Sequence, residues 1–228
     1  MAEEKLSKRA LAEILGTLFF VFLGAGSVVA AYAFNLPFDV SLLVIAIANG
    51  LGLALAISAT MNISGGHLNP AVTIGAFLAK KIKPKDALVY IVSQVIGAAI
   101  GASLLYGFFP VAATSAVSLG TPAVASGVSV LQAIFIEGVL TFFLVFAVFG
   151  TAIDSRAPKI AGFGSGLTVF LDALIGGPLT GAAMNPARAL GPAIASLNFA
   201  NWYVYWIGPI IGGMIAALVY SRLIMKKR

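Results

Sequence analysis

The sequence predicts an all-α membrane protein: six transmembrane helices plus two re-entrant half-helices, arranged as an inverted repeat. Three observations predict it. Apolar residues make up 60% of the 228, and charged residues only 10%, against about 25% charged in an ordinary soluble domain. The triplet Asn-Pro-Ala occurs twice, as Asn69-Pro70-Ala71 and Asn185-Pro186-Ala187, each after a glycine-containing turn. The two halves also repeat each other. Glu13, Thr17, Phe19, Val21 and Phe22 recur with the same spacing as Glu137, Thr141, Phe143, Val145 and Phe146. Gly65, His67, Asn69 and Gly75 run parallel to Gly181, Ala183, Asn185 and Gly191.

The elements follow in order. Segment 10–36 is apolar apart from Glu13, and 40–61 carries no charge. Segment 69–79 is too short to cross a bilayer and opens on the first triplet. Asparagine caps a helix start through its side-chain oxygen, and proline suits the first helical position. This segment is therefore read as a half-helix. Segment 87–109 is a third span, and the uncharged stretch 110–127 is a long external connection. Segments 128–153, containing Glu137, and 160–176, containing Asp172, are the fourth and fifth spans. Segment 185–197 is the second half-helix, and 202–221 the sixth span. A spanning helix needs about 20 residues, so the fifth is at the short end. The chain thus reads as one channel domain, 1–228, made of repeats 1–109 and 128–228. Three spans per half is an odd number. The second half therefore enters the membrane inverted, and the half-helices point their N-termini at each other near the midplane.

Charge sets the orientation. Of 14 Lys and Arg, 13 fall in four places: Lys5/Lys8/Arg9, Lys80/Lys81/Lys83/Lys85, Arg156/Lys159 and Arg222/Lys226/Lys227/Arg228. Six spans put all four on one side, which the positive-inside rule makes cytoplasmic, with both termini there. The net charge of +6 is thereby explained by topology, and no nucleic-acid partner is expected. The exception is Arg188, on the opposite side and directly after the second triplet. Residues 1–9 are charged, and the apolar run behind them is too long for a cleavable signal. The absence of cysteine removes disulfides and thiolate chemistry. With no nucleophile–base pair and no metal cluster, neither an enzyme nor a cofactor is expected.

Polar helix starts inside a bilayer are tolerated only where they are buried in protein or face water. Asn69 and Asn185 are expected to cap their half-helices and also to turn amide N–H groups to a lumen. Each half-helix N-terminus carries about half a positive charge, which repels cations and orients water. Glu13 and Glu137 are buried carboxylates; an ionised group at a helix centre costs roughly 2.5–3.5 kcal/mol on insertion scales. Their matched placement favours a structural job over a proton relay.

The stretch Ser64-Gly-Gly-His-Leu-Asn-Pro-Ala-Val-Thr73, the stretch Gly181-Ala-Ala-Met-Asn-Pro-Ala-Arg188 and Ala12-Glu-Ile-Leu-Gly-Thr17 resemble the major intrinsic proteins, the aquaporins and aquaglyceroporins. The resemblance covers nearly the whole chain. It implies a homotetramer in the cell membrane, with one pore per subunit for water and small neutral solutes. It implies that Glu13 and Glu137 accept hydrogen bonds from the re-entrant backbones and that His67 lies on the cytoplasmic pore wall. For His67, packing and a pH gate are the other readings. It makes Arg188 the cation of the outer selectivity filter, completed by Asn49, Ala173 and Ala182. Strict water channels of the family usually put an aromatic at the first of these positions and histidine at the second. The small residues here look more like the nodulin-26-like, metalloid-permeable branch, which the run Thr168–Pro178 also resembles. Against that, Ala189 stands where glycerol channels usually carry Asp, and Tyr205-Trp206 looks water-channel-like, or else belongs to an interfacial aromatic belt. The expected function is a passive channel for water, glycerol, urea or metalloid hydroxides that excludes ions. The alternatives are a strictly water-selective aquaporin, a coupled transporter and a junction protein of the same fold. Asp172, one residue from a filter position, is read either as pairing with Arg188 or Asn49 through water or as facing a subunit contact.

Overall fold

The computed structural model describes residues 4–158 and 160–225. Lys159, Lys226, Lys227 and Arg228, used above to set orientation, lie outside the described residues. The α-helices are α1 (Leu6–Ala33), α2 (Phe38–Ser64), α3 (Pro70–Leu78), α4 (Pro84–Leu104), α5 (Val111–Ala116), α6 (Val130–Val148), α7 (Phe163–Thr180), α8 (Pro186–Ser196) and α9 (Val204–Val219). No strand occurs among the described residues. Six helices are long and apolar enough to cross a membrane. They are α1, α2, α4, α6 with its π-helical end at Phe149–Ile153, α7, and α9 with its π-helical end at Tyr220–Ile224. The half-helices are α3 and α8.

The boundaries moved for physical reasons. α1 begins earlier than expected because its charged first turns have partners: Lys8 pairs with Glu4 at 3.2 Å, and Arg9 donates to Asp86 at 2.7 Å. α7 runs four residues past the expected end at Gly176, through Pro178, and stops at Gly181, whose φ is +81°. The Gly-Gly-Pro run lies in the last turns of α7 and does not end it; Gly176 is buried against Leu140, while Pro178 is exposed.

The helices pack as two matched halves. α1 lies against α4 and α2, α6 lies against α9 and α7, and α2 against α7 joins the halves. Small residues allow these close approaches. A Cβ on Gly97 or Gly101 of α4 would collide with the carbonyl oxygens of Ile14 or Leu18 in α1. A Cβ on Gly212 of α9 would collide with the Gly138 carbonyl of α6 in the same way. The small face of α4 therefore packs inside the subunit. Exposed apolar side chains such as Leu15, Phe135, Ile175 and Ile215 cover the outer surface, as lipid contact requires.

The connection 110–127 has structure that the sequence reading did not anticipate. It holds α5 and a 3-10 turn, Ser118–Gly120, with Leu119 and Gly120 buried. The Ala125 N–H donates to the Leu179 carbonyl at 2.9 Å. The segment folds back onto the outer ends of the spans.

Candidate functional site

The two re-entrant loops share one conformation. Gly65, Gly66 and Leu68 have φ of +90°, +60° and +49°; Gly181, Ala182 and Met184 have +81°, +45° and +51°. With three left-handed residues in four positions, the backbone leaves N–H groups that other groups must satisfy. In the first loop that group is Glu13. It accepts from the N–H groups of His67 (3.0 Å) and Leu68 (2.8 Å), from Ser64 Oγ (2.6 Å) and from Gln94 Nε2 (2.7 Å). In the second it is Glu137, which accepts from the N–H groups of Ala183 (2.9 Å) and Met184 (2.8 Å) and from Thr180 Oγ1 (2.8 Å). Two tyrosines add matched ties: Tyr90 donates to the Ser64 carbonyl at 2.7 Å and Tyr205 to the Thr180 carbonyl at 2.9 Å. The sequence reading missed Ser64, Tyr90, Gln94 and Thr180. Tyr205 is buried in this bond and is not part of an interfacial belt. Aligning the two halves tyrosine to tyrosine would have found the pair; it also sets Gln94 against Pro209, so the second carboxylate has one donor fewer.

Asn69 caps α3, its Oδ1 accepting from the Ala71 N–H at 2.9 Å. Asn185 caps α8, accepting from the Ala187 (3.0 Å) and Arg188 (3.2 Å) N–H groups. Pro70 and Pro186 take the first helical positions, with Ala71 and Ala187 behind them fully buried. Each asparagine amide then donates across to the opposite loop. Asn69 Nδ2 reaches the Met184 carbonyl at 2.9 Å, and Asn185 Nδ2 reaches the Leu68 carbonyl at 2.8 Å. One amide hydrogen of each asparagine is therefore committed to protein, and one remains. Among the described residues, no protein donor reaches the carbonyls of Gly65, Gly66, His67, Gly181, Ala182 or Ala183. Those acceptors are left for whatever fills the adjoining cavities.

Two cavities adjoin this junction. One, of about 370 Å³, is lined by the loop from Ser64 to His67, by Asn69 and Lys81, and by apolar residues of α2 and α6. The other, of about 290 Å³, is lined by Asn49, Ala173, Ala182 and Arg188 together, with Gly120 beside them. Arg188 is only 3% exposed, and its Nη1 donates to the Gly120 carbonyl at 2.8 Å. No carboxylate lies within ion-pair distance of it among the described residues. Asn49 stands in the wall, but its Nδ2 donates to the carbonyls of Ile45 (2.9 Å) and Gly24 (3.4 Å), which leaves Oδ1 without a protein partner. His67 Nδ1 lies 3.2 Å from Thr73 Oγ1, and that hydroxyl donates to the Asn69 carbonyl at 3.0 Å. The same hydroxyl also accepts from Gln94 Nε2 at 3.0 Å, so Thr73 links the histidine to the group of side chains around Glu13. Asp172 lines neither cavity and bonds to neither Arg188 nor Asn49; its buried Oδ2 has no partner in the protein.

Six spans, with two half-helices meeting by their capped N-termini between two cavities, are the frame of a membrane channel. A family model described as "Major intrinsic protein" matches residues 1–220, and the chain belongs to that family, whose aquaporins are channels and not enzymes. It is 42% identical to the probable aquaporin TIP3-2 of Arabidopsis thaliana, over 96% of this chain and 84% of that protein. It is 37% identical to aquaporin A of Dictyostelium discoideum, over 98% of this chain and 81% of that one. Its structure resembles the aquaglyceroporin of Plasmodium falciparum with a TM-score of 0.87, at 26% identity, covering 96% and 97% of the two chains.

Proposed function

We propose that this aquaporin passes water together with small uncharged solutes such as glycerol, urea or metalloid hydroxides, and that it excludes protons and ions. The observation that carries the reading is the wall of the outer cavity: two alanine methyls, Ala173 and Ala182, beside the buried Arg188. Methyls leave room for a solute larger than water. Arg188 supplies donors to a solute oxygen and a positive field against cations. The helix N-termini behind Asn69 and Asn185 repeat that field further along, and the unpaired loop carbonyls offer the acceptors that a dehydrated hydroxyl needs. Asn49 contributes an acceptor, Oδ1, and not the free amide donor that its residue type suggests. The match to a structure named as an aquaglyceroporin supports the same reading.

The alternative is a strict water channel. Tyr205 carries no argument for it, since its hydroxyl is occupied by the Thr180 carbonyl. The chain is read as one channel unit of repeats 1–109 and 128–228, with its lysine-rich face and both termini toward the cytosol of a cell membrane. Stopped-flow measurement on proteoliposomes tests the reading. The wild type is expected to pass water and at least one of glycerol, urea or a metalloid hydroxide. The double variant Asn49→Phe, Ala173→His is expected to lose the larger flux and keep much of the water flux. A wild type that excludes every solute except water would leave the strict water channel.

A further inference from the structure

The repeat offers each half-helix the same two places for a cation, and the two halves fill different ones. Three positions after its asparagine, the second half has Arg188 and the first has Val72. Val72 lines the inner cavity, of about 370 Å³, as Arg188 lines the outer one. The inner cavity therefore lacks the charge that the repeat would place there. The half-helices also end alike. Lys80 and Leu197 are left-handed, with φ of +59° and +58°. The N–H of the next residue then turns back on the helix. That of Lys81 donates to the Ala76 carbonyl at 2.8 Å, and that of Asn198 to the Ala193 carbonyl at 3.1 Å. The turn after α3 brings Lys81 to the wall of the inner cavity. Asn198 is uncharged, and its amide is tied to Ser118 Oγ at 2.9 Å. Among the described lining residues, Arg188 is the one lysine or arginine of the outer cavity and Lys81 that of the inner. One comes from the start of its half-helix, the other from the end.

No carboxylate is among the described residues that line the inner cavity. Asp154, one position beyond Ile153 of its wall, lies within electrostatic reach of Lys81. That carboxylate is committed to Arg156, which donates to it from the backbone N–H at 2.9 Å and from Nε at 3.0 Å. The acid and the two cations leave one positive charge at this mouth. An ammonium is a compact, strongly hydrated point charge, so it acts on a passing ion through its field. The α3 N-terminus behind Asn69 has the same sign. A cation entering from this side meets repulsion at the mouth and again at the junction.

We propose that Lys81 is a second selectivity residue, which lowers the concentration of cations in the inner cavity and adds to the exclusion supplied by Arg188. The proposal rests on the ion exclusion put forward above.

The test exploits the absence of cysteine. Ala152→Cys places a single thiol in the cavity that Lys81 lines. Its modification by an anionic sulfonatoethyl and by a cationic trimethylammonioethyl methanethiosulfonate is timed on the full chain at low salt. The ratio of the two rates cancels any change in the thiol itself. Adding Lys81→Gln should lower the anionic-to-cationic ratio about fivefold, as expected for one unit charge across about 8 Å of water. Lys81→Arg should preserve the ratio. The drop should fade at about 1 M salt, where the screening length is about 3 Å. Lys80→Gln and Lys85→Gln should change the ratio far less, since neither residue lines this cavity. A second reporter, Met61→Cys on α2, should give the same result without touching the π-helical turn that holds Ala152. A ratio indifferent to Lys81→Gln, an equal drop in Lys80→Gln or a drop that survives high salt would overturn the proposal. In vesicles, cation leak through Arg188→Val should rise further when Lys81→Gln is added; equal leaks would remove Lys81 from selectivity. A wild type that leaks cations would defeat the exclusion reading instead. The thiol ratio measures potential and not permeation, so the two fail separately.

Discussion

At the scale of single residues, the site is a set of charges with assigned partners. Arg188 was legible from its isolation on the positive-poor side and its place after the second triplet. Its partner was not, because a carbonyl in an uncharged connection leaves no mark in the sequence. Arg188→Val removes the one cation that lines the outer cavity among the described residues. Proton or cation leak, followed with a pH-sensitive dye in vesicles, should rise while neutral flux is kept. An ion-tight variant would show that Arg188 is not the filter cation. Glu137 shows the opposite case, a group whose job follows from its bonds. Its two oxygens accept from two loop N–H groups and from Thr180. Glu137→Gln turns an acceptor into a donor facing another donor, and one unsatisfied buried group costs about 1–3 kcal/mol. Thermal unfolding in detergent should show that loss. A variant as stable as the wild type would mean that the carboxylate does not hold the loop.

At the scale of elements, the spans and half-helices were readable because the hydrocarbon imposes length and apolarity on them. Their ends were harder. Arg9 extends α1 through Asp86, a partner that the sequence does not place next to it, and Pro178 sits near the end of α7 without ending it. Connection 110–127 was read by its lack of charge, yet its Gly120 is buried against the outer cavity. Whether the small face of α4 packs within or between subunits depends on which helix approaches it, which spacing alone leaves open. Its closeness to α1 makes a prediction. Gly97→Ala sets a methyl against the Ile14 carbonyl, and overpacking of this kind costs about 1–3 kcal/mol. The yield of folded protein and its melting temperature should both fall, whereas substitution at Gly107, where an added Cβ meets nothing, should change neither. Equal tolerance at the two positions would mean that the helices are not in such close contact.

At the scale of the whole molecule, the repeat and the lysine distribution made the inverted architecture legible. The differences between its halves were less so, since Gln94 against Pro209 and Thr73 against Ala189 matter only once the carboxylates and histidine beside them are placed. The apolar outer surface, broad on α1, α2, α6 and α7, has room for both lipid and other subunits. A homotetramer with one pore each is the expected assembly. Native mass spectrometry in mild detergent should show four chains; monomers alone would count against it.

The crossed asparagine amides bear on how the chain comes into being. Domains made at the N-terminal end are generally synthesised and folded first. Here the earlier half cannot complete itself. The Leu68 carbonyl waits for Asn185, and Asn69 waits for Met184, each more than a hundred residues further along. Until the ribosome delivers the second loop, the first holds a polar gap in a medium that offers few substitutes. The bonds at the centre of the pore junction therefore close only once the second loop has been made.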